Sequence, residues 1–322
     1  MEKRTFKQWL KSDSNREKKM MQLPSEFVKT LKNVHKEKAE KWLEDFDRLI
    51  DECEQRWQMN ILSPYELSYH FVAPALRRDG SEVVIKLAIP SIEFYSEVEA
   101  LRVFNGNGMV KIMDVDYEKG ILIFERLVPG ITLATLTNDE EATYIAAQIM
   151  KKLWKPVQSS DLFQTTFDRE TELKRIYYEY PEGVGPVTKE TLREATEIFT
   201  EMNHTLGTPF MLHGDLHQYN ILLNGESWLA IDPKGLIGDR EYDVIQFLLN
   251  KLPKENIEEI LEKRINILEK ELHLNKHRVL SWGFSHAVLA TCWSFEESGN
   301  YNEEFFNSIN VFKCLLGKEN NN

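Results

Sequence analysis

The spacing of apolar residues predicts a helical start to the chain, followed by a small sheet. Apolar residues first recur at helical intervals at Trp42, Phe46, Ile50 and Cys53. We therefore expect helices within residues 1–57. Two strands follow, SYHFVAPAL and EVVIKLAI, joined at Asp79-Gly80, a dipeptide typical of hairpin turns. A helix over residues 91–104 and two more short strands, VKIMDVD and ILIFERLV, complete this part of the chain.

Beyond Pro129-Gly130 the apolar pattern is mainly helical to the end of the chain. It is interrupted by a loop, PEGVGP, and by one strand-rich segment, residues 209–232. This order predicts an α+β fold with two lobes: a small antiparallel-sheet lobe with a helical N-terminal extension, and a larger, mainly helical lobe. We expect the first lobe at residues 1–127 (extension 1–57, sheet 58–127) and the second at 128–322.

A hairpin turn is predicted inside the strand-rich segment, which reads TPFMLHGDLHQYNILLNGESWLAIDPKG. Asn224-Gly225 is a preferred two-residue turn, so we expect Leu223 to pair with Glu226. In this register Asp232 lies opposite His217, beside the loop that precedes the hairpin. A slip of one or two residues would still leave Asp232 near that loop.

The same segment carries residue types that phosphoryl transfer requires. Asn220 follows Asp215 by five positions, and Asp232 comes twelve positions later. An Asp can accept a hydrogen bond from an attacking hydroxyl, while an amide oxygen and a second carboxylate suit Mg²⁺. Taken singly, these residues are more typical of turns that bond their own backbone. Their joint spacing favours a catalytic Asp215 with Asn220 and Asp232 as metal ligands.

Two histidines in this segment suggest a metal cluster only weakly. His213 and His217 have no third histidine or cysteine at ligand spacing. We interpret His213 as a residue that orders the loop and His217 as a neighbour of the metal-binding Asp232.

Composition excludes several classes of partner. Among 322 residues, 52 acidic against 40 basic side chains give a net charge of −12, which would repel nucleic acid. Apolar runs are far shorter than the roughly 20 residues of a membrane span, and the start resembles no secretory signal. Three cysteines without CxxC spacing, Cys53, Cys292 and Cys314, indicate reduced thiols in a cytoplasmic protein. The acidity indicates either attraction of a cationic small molecule or solubility alone.

The motifs LHGDLHQYNIL and IDPKGLIGDREYDV resemble the aminoglycoside phosphotransferase family, most closely its streptomycin 6-phosphotransferase and hydroxyurea-resistance kinase branch. Further likeness, in KAEKWLEDFDRLIDECEQRW, DGSEVVIKL, ILIFERLVPG and VLATCWSFEESG, extends nearly from end to end. The resemblance implies a protein-kinase-like fold, with ATP or GTP as phosphate donor and Mg²⁺ as metal. The acceptor it implies is a hydroxyl group of a small molecule, with no nucleic acid or membrane involved.

The resemblance also implies roles for residues before the hinge. Lys86 in VVIKL matches the lysine that contacts nucleotide phosphates, and Glu97 matches its acidic partner, with Glu99 as the competing choice. The phosphate-covering loop, ILSPYELSYHF, has no glycine, so we expect a hydroxyl of Ser68, or alternatively Ser63, to serve there.

Further matches lie at the hinge and beyond it. The segment FERL matches the hinge that meets the adenine, which includes Glu125 and Leu127. Asp243 matches a helix-borne Asp that braces the catalytic loop, and Asp239 is expected to be structural. Acceptor candidates lie in the C-terminal segment at Trp293, Glu296 and Glu297.

The function expected from this resemblance is phosphorylation of an aminoglycoside such as streptomycin, which would confer antibiotic resistance. Hydroxyurea-like compounds and unrelated cellular metabolites stay open as acceptors. A nucleotide-binding pseudokinase is a second reading, opposed by the joint presence of Lys86, Asp215, Asn220 and Asp232. A protein kinase is disfavoured, because the helical pattern that resumes near Tyr242 leaves no room for an activation loop.

Overall fold

The computed structural model describes residues 22–158 and 162–319, so the beginning of the predicted helical segment 1–57 lies outside it. Two compact units are present. Unit 1 runs to Val98 and resumes over Lys111–Arg126, and unit 2 comprises Glu99–Val110 and the chain from Leu127 onward. Helices combine with mainly antiparallel sheets, which confirms the predicted α+β class.

Unit 1 packs three helices against a five-stranded antiparallel sheet. The helices are α1 (Ser25–His35), α2 (Glu37–Glu44) and α3 (Phe46–Arg56). The strands are β1 (Met59–Ile61), β2 (Phe71–Arg77), β3 (Glu82–Leu87), β4 (Ile112–Asp116) and β5 (Ile121–Glu125), in the order β1-β2-β3-β5-β4. Helix α4 (Ile92–Phe104) follows β3 along the chain and belongs to unit 1 only as far as Val98.

The predicted apolar positions build the core of unit 1. Phe46 and Cys53 of α3 are buried, and the Phe46 ring meets Phe71 of β2 edge-on with centroids 5.1 Å apart. In the β2–β3 hairpin Phe71 pairs with Leu87, and the connecting turn places Gly80 at φ +87°. A positive φ favours glycine because no Cβ is present to clash, so the Asp-Gly signal marks a real turn.

Unit 2 is mainly helical. After the end of α4, its helices are α5 (Asp139–Leu153), α6 (Thr166–Glu179), α7 (Lys189–His204), α8 (Arg240–Asp243), α9 (Ile245–Leu249), α10 (Ile257–Leu272), α11 (Lys276–Ser298) and α12 (Glu303–Glu319). Side-chain caps fix several starts. Asn138 accepts from the Glu141 amide ahead of α5, and Thr165 forms a capping box with Asp168 ahead of α6. Within residues 22–158 and 162–319, no helix combines the length and apolarity of a membrane span.

Short strands connect these helices. They are β6 (Pro129–Thr132), β7 (Lys155–Pro156), β8 (Gln164–Thr165), β9 (Gly183–Val184), β10 (Val187–Thr188), β11 (Phe210–Leu212), β12 (Ile221–Asn224), β13 (Ser227–Ala230) and β14 (Leu236–Gly238). They form the sheets β13-β12-β6, β7-β11-β14-β8 and β10-β9. The PEGVGP loop therefore contains strand β9 and the turn of a small hairpin, β9–β10. Strands of two to four residues are too short to show alternation in sequence.

The predicted register of the β12–β13 hairpin was wrong by two residues. Leu223 pairs with Trp228 and Asn224 pairs with Ser227, so the turn is Gly225-Glu226 and Asp232 does not lie opposite His217. Gly225 has φ +60°, which suits the first central position of a type II′ turn.

A side-chain hydrogen bond of Asn224 explains this register. Its side-chain oxygen accepts a hydrogen bond from the Val128 amide at 3.2 Å, and Gly225 N donates to Val128 O at 2.7 Å. The hairpin tip is thereby tied to the chain just ahead of β6.

Candidate active site

The loop between β11 and β12, residues 213–220, carries the predicted catalytic Asp215. Its last three residues form a 3₁₀ turn, anchored by the buried Gln218, whose amide nitrogen donates to Phe247 O at 3.2 Å and Asn250 O at 3.3 Å. The Asp215 side chain is 29% exposed. A rigid loop thus presents a carboxylate that solvent or a ligand can reach.

Asp243 of α8 accepts hydrogen bonds from the start of this loop. Its two oxygens accept from His213 N at 3.1 Å and Gly214 N at 2.8 Å, and Trp154 Nε1 donates to it at 2.8 Å. Burial raises the pKa of the Asp243 carboxyl, and these three donors oppose that shift because they favour the charged form. Sequence reasoning singled out Asp243 but missed Trp154, which no motif marks.

Gly214 occupies a position where a side chain would be strained. Its φ is +81°, and a Cβ there would lie 3.1 Å from Leu236 Cβ and 3.3 Å from Lys234 Cβ. The chain after β13 reaches this point because Lys234 N and Gly235 N both donate to His213 O, at 2.9 and 3.2 Å. This close approach explains why glycine precedes Asp215.

The two predicted metal ligands lie at the beginning and just beyond the end of the hairpin. Asn220 Nδ2 donates to Asp215 O at 3.0 Å, which leaves the amide oxygen as the end suited to a metal. Ile231 N donates to Asn220 O at 2.9 Å, so Asp232 follows directly on a paired residue. Asp232 itself has φ +62°, a left-handed conformation that aspartate adopts more readily than most residues.

The strand that leads to Asp232 is held at both edges. Ala230 pairs with Ile221 of β12 on one side. On the other side Ala230 O accepts from Val110 N at 2.9 Å, and Ala230 N donates to Gly108 O at 2.8 Å. All four residues belong to unit 2, and the double pairing fixes the backbone next to Asp232.

Both histidines are neutral; His213 is fully buried and His217 is partly exposed. His213 Nε2 lies 2.9 Å from Ile231 O, so this nitrogen carries the proton, and Nδ1 accepts from Asp215 N at 3.2 Å. His217 Nδ1 accepts from Tyr219 N at 3.3 Å, and its Nε2 lies 3.8 Å from Asp215 Oδ1. Burial lowers the pKa of His213 to about 3 and of His217 to about 4. Both rings act as neutral hydrogen-bonding groups.

The electrostatic setting of Asp215 suits a base near neutral pH. Burial raises the pKa of its carboxyl to about 6; the positive charge of Lys234 opposes the shift, and the negative charge of Asp232 adds to it. Above that value the carboxylate predominates and accepts hydrogen bonds. A pKa close to the working pH is the usual property of a general base.

In unit 1 the structure pairs Lys86 with Glu97. Lys86 Nζ lies 2.8 Å from both Glu97 oxygens, and the two residues are 3% and 6% exposed. Glu99, the competing choice, is bonded instead to Arg102 at 3.1 Å. β3 and the first turns of α4 supply this buried ion pair.

The other residues predicted for nucleotide binding lie at exposed or connecting positions. Ser68 and Ser63 are exposed in the segment between β1 and β2. Glu125 ends β5, and its side chain accepts from Lys111 N at 2.8 Å, which occupies one of its oxygens. Leu127 is buried and begins the second part of unit 2.

The acceptor candidates lie near the end of α11, against α6. The Trp293 ring faces the Arg169 guanidinium at 5.0 Å. Glu296 accepts from Arg175 at 2.7 Å, and the same guanidinium is bonded to Glu172 at 2.8 Å. Glu297 is exposed. Glu296 is therefore paired within the protein and is not an unmatched negative charge. Sequence reasoning missed its partner, Arg175.

The fold is shared with a solved kinase. The solved choline kinase LicA from Streptococcus pneumoniae superposes with a TM-score of 0.62 at 14% identity, covering 85% of this chain and 99% of that one. Identity this low shows a shared kinase-like fold alone.

Sequence comparison gives the family. The model of the aminoglycoside/hydroxyurea antibiotic resistance kinases matches residues 65–299, and the chain belongs to this family. A streptomycin 6-kinase of Streptomyces glaucescens is 26% identical over 87% of this chain and 92% of its own length. A hydroxyurea phosphotransferase of Kitasatospora aureofaciens is 26% identical over 93% of this chain and 87% of its own. The predicted enzyme class, a phosphotransferase acting on a hydroxyl group, is confirmed.

Proposed function

We propose that this kinase transfers the γ-phosphate of ATP or GTP to a hydroxyl of a streptomycin-like aminoglycoside and so confers resistance. The observation that carries the proposal is the braced catalytic loop. Asp243 fixes the two backbone amides ahead of Asp215, and Asn220 is tied to the Asp215 carbonyl. The two streptomycin 6-kinases among the relatives, 26% and 28% identical to this chain, support the acceptor class.

The donor atoms available fit Mg²⁺. The Asn220 amide oxygen and the Asp232 carboxylate are hard oxygen ligands, and Mg²⁺ in kinases takes its remaining ligands from water and substrate phosphates. No cluster of three or more His, Cys, Asp or Glu with metal-site geometry occurs in residues 22–158 and 162–319. A bound Mg²⁺ would neutralise phosphate charge, and this chain would supply two of its ligands.

The reaction we propose balances as a direct displacement. The acceptor hydroxyl oxygen forms a bond to the γ-phosphorus, and the bond from that phosphorus to its bridging oxygen breaks, leaving its electron pair on the nucleoside diphosphate. Asp215 accepts the hydroxyl hydrogen bond and takes the proton, which then passes to solvent. Lys86, held by Glu97, is expected to contact the α- and β-phosphates, while Ser68 and the backbone at Glu125 and Leu127 hold the remainder of the nucleotide.

A cationic acceptor agrees with the charge of the chain. Acidic residues outnumber basic ones by 52 to 40, and a field of this sign attracts polycations. A hydroxyurea-type acceptor is the second candidate, favoured by the relative that covers 93% of the chain. A kinase that consumes nucleoside triphosphate and carries three free thiols, Cys53, Cys292 and Cys314, is expected to act in the cytoplasm.

The test is a panel of aminoglycosides and small hydroxylated metabolites, scored by acceptor-dependent ADP release. Asp215→Asn keeps the side-chain shape but removes the charge that accepts the proton. We expect kcat to fall at least about 10²-fold, since general-base contributions are ~10²–10⁴-fold, while nucleotide still stabilises the variant against heat.

Glu255→Gln is the matched control, because Glu255 is an exposed acid far along the chain from the loop. Its kcat should equal that of the wild type. If none of the acceptors in the panel increases ADP release by the wild type, this result would count against the proposed function and favour a pseudokinase. An Asp215→Asn variant with near wild-type kcat would show that Asp215 does not act as the base.

A further inference from the structure

Lys234 is a cation at the catalytic loop that no part of the proposed mechanism has used. It lies two residues beyond Asp232, and its backbone N donates to His213 O at 2.9 Å. Its Cβ lies 3.3 Å from the point where a Cβ of Gly214 would stand. The Lys234 side chain therefore leaves the backbone against the residue that immediately precedes Asp215.

The charge of Lys234 reaches several groups of this loop. After burial, which raises the pKa of the Asp215 carboxyl, the Lys234 ammonium is the strongest influence on that group, and it lowers the pKa. The same ammonium helps burial to lower the pKa of His213 and His217. The loop itself, HGDLHQYN, contains no lysine or arginine. The Arg169 guanidinium also lowers the pKa of Asp215, and it is stacked over the Trp293 ring.

We propose that the Lys234 ammonium binds the transferring γ-phosphoryl group and stabilises the negative charge on its oxygens as it moves to the acceptor. This role makes Lys234 a catalytic residue, and it rests on the proposed phosphotransferase function. The acceptor oxygen must meet phosphorus beside Asp215; Lys234 is exposed, and its side chain begins next to Gly214, the residue before Asp215. Catalysis of phosphoryl transfer relies on cations placed around the equatorial oxygens.

The geometry separates this role from that of the metal ligands. Asp232 ends the hairpin in a left-handed conformation, and the chain then turns back so that Lys234 pairs with His213. One short segment, Asp-Pro-Lys, thus carries a metal-binding carboxylate and a cation. A bound Mg²⁺, for which Asp232 would be a ligand, and the Lys234 ammonium would both neutralise negative charge on the phosphoryl group.

The experiment compares Lys234→Met, Lys234→Gln and Lys234→Arg with wild type, and Lys254→Met serves as control because Lys254 is an exposed lysine elsewhere in unit 2. We expect kcat of the Met and Gln variants to fall about 10²–10³-fold, as for loss of one preorganised charge donor. KM for nucleotide should change little. Lys234→Arg should recover part of kcat, and Lys254→Met should match wild type.

A second readout does not depend on turnover. Binding of ADP with Mg²⁺ and aluminium fluoride, which mimics the transferring phosphoryl group, should weaken in Lys234→Met while binding of ADP alone stays unchanged. Undiminished aluminium fluoride binding with kcat near wild type would overturn the proposal. So would a Lys234→Met variant whose kcat recovers fully at alkaline pH, because the lysine would then act only by keeping Asp215 ionised.

The two proposals fail in different ways. A wild type that phosphorylates no acceptor contradicts the proposed function, yet the comparison of ADP–aluminium fluoride binding still tests Lys234. An active wild type with unaffected Lys234 variants contradicts only the role of the lysine.

Discussion

At the scale of single residues, two carboxyls of the same loop region differ in what surrounds them. Asp243 is buried and saturated by three donors, two from the backbone of the loop and one from Trp154. Asp215 is partly exposed, and the cationic side chain of Lys234 is the chief counterweight to its burial. The first arrangement holds the loop in place, and the second leaves a carboxylate free to exchange a proton.

The raised pKa of Asp215 predicts an acid limb in the rate profile. Because the carboxylate is the active form, activity should be lost as pH falls through about 6, the pKa of this group. The measurement is kcat/KM for the nucleotide against pH at saturating acceptor. Below the pKa, log(kcat/KM) should fall by one for each unit of pH, as expected for protonation of a single group. A profile that stays flat through the acid range would show that Asp215 ionisation does not limit the reaction.

Spacing alone singled out three candidate site residues. Asp215, Asn220 and Asp232 stand in a pattern that a turn does not require, and they lie in one hairpin and the loop that leads into it. Trp154 was not predictable in this way, since it lies 89 positions from Asp243 and carries no motif. Its partner is decided by tertiary packing, which a pattern of neighbouring residues does not contain.

At the scale of elements, the β12–β13 hairpin positions the predicted metal ligands and also connects distant parts of unit 2. Its tip holds Val128 through Asn224 and Gly225, and its second strand is paired at both edges. The existence of the hairpin was predictable from Asn-Gly. Its register was not, because the Asn224 side chain is committed to Val128, 96 positions away in sequence.

The α6–α11 contact yields a prediction on acceptor binding. Arg175 is bonded to Glu172, Glu179 and Glu296, so Arg175→Gln should release three carboxylates for a cationic acceptor. We expect a several-fold lower KM for such an acceptor. We also expect a steeper loss of kcat/KM with salt, as the Debye length contracts from ~10 Å at 0.1 M to ~3 Å at 1 M.

Steady-state kinetics over a salt series would measure both effects. Glu297→Gln, a charge change at an exposed neighbour, is the control and should alter the salt dependence less. An unchanged KM and salt profile in Arg175→Gln would mean that these carboxylates do not meet the acceptor.

At the scale of the whole molecule, three histidines, two buried and one partly exposed, make stability sensitive to acid. Burial lowers the pKa of His213 and His286 to about 3 and that of His217 to about 4. Below the ordinary histidine pKa of 6.5, these rings bind a proton in the unfolded chain but stay neutral in the folded protein. The free energy of unfolding should therefore decrease as pH falls, by up to ~1.4 kcal/mol per pH unit for each histidine.

His286→Gln isolates one of these contributions. In the wild type His286 Nδ1 lies 2.7 Å from the Tyr242 hydroxyl, a contact that a glutamine amide can partly replace. Denaturant unfolding at several pH values should give a slope smaller by about one proton than in the wild type. An equal slope would mean that His286 is protonated in the folded protein.

The pairing of Ala230 with residues 108–110 bears on how such a chain can be recombined. The strand that leads to Asp232 takes one neighbour from β12 and the other from a segment more than a hundred positions earlier, within Glu99–Val110. A single crossover near residue 127 would join the catalytic half of one kinase to a foreign partner for Ala230. Chimeras within this family that take residues 99–110 and the chain from residue 127 onward from one parent, with crossovers before residue 99, after residue 110 and before residue 127, would inherit the strand and its neighbour together.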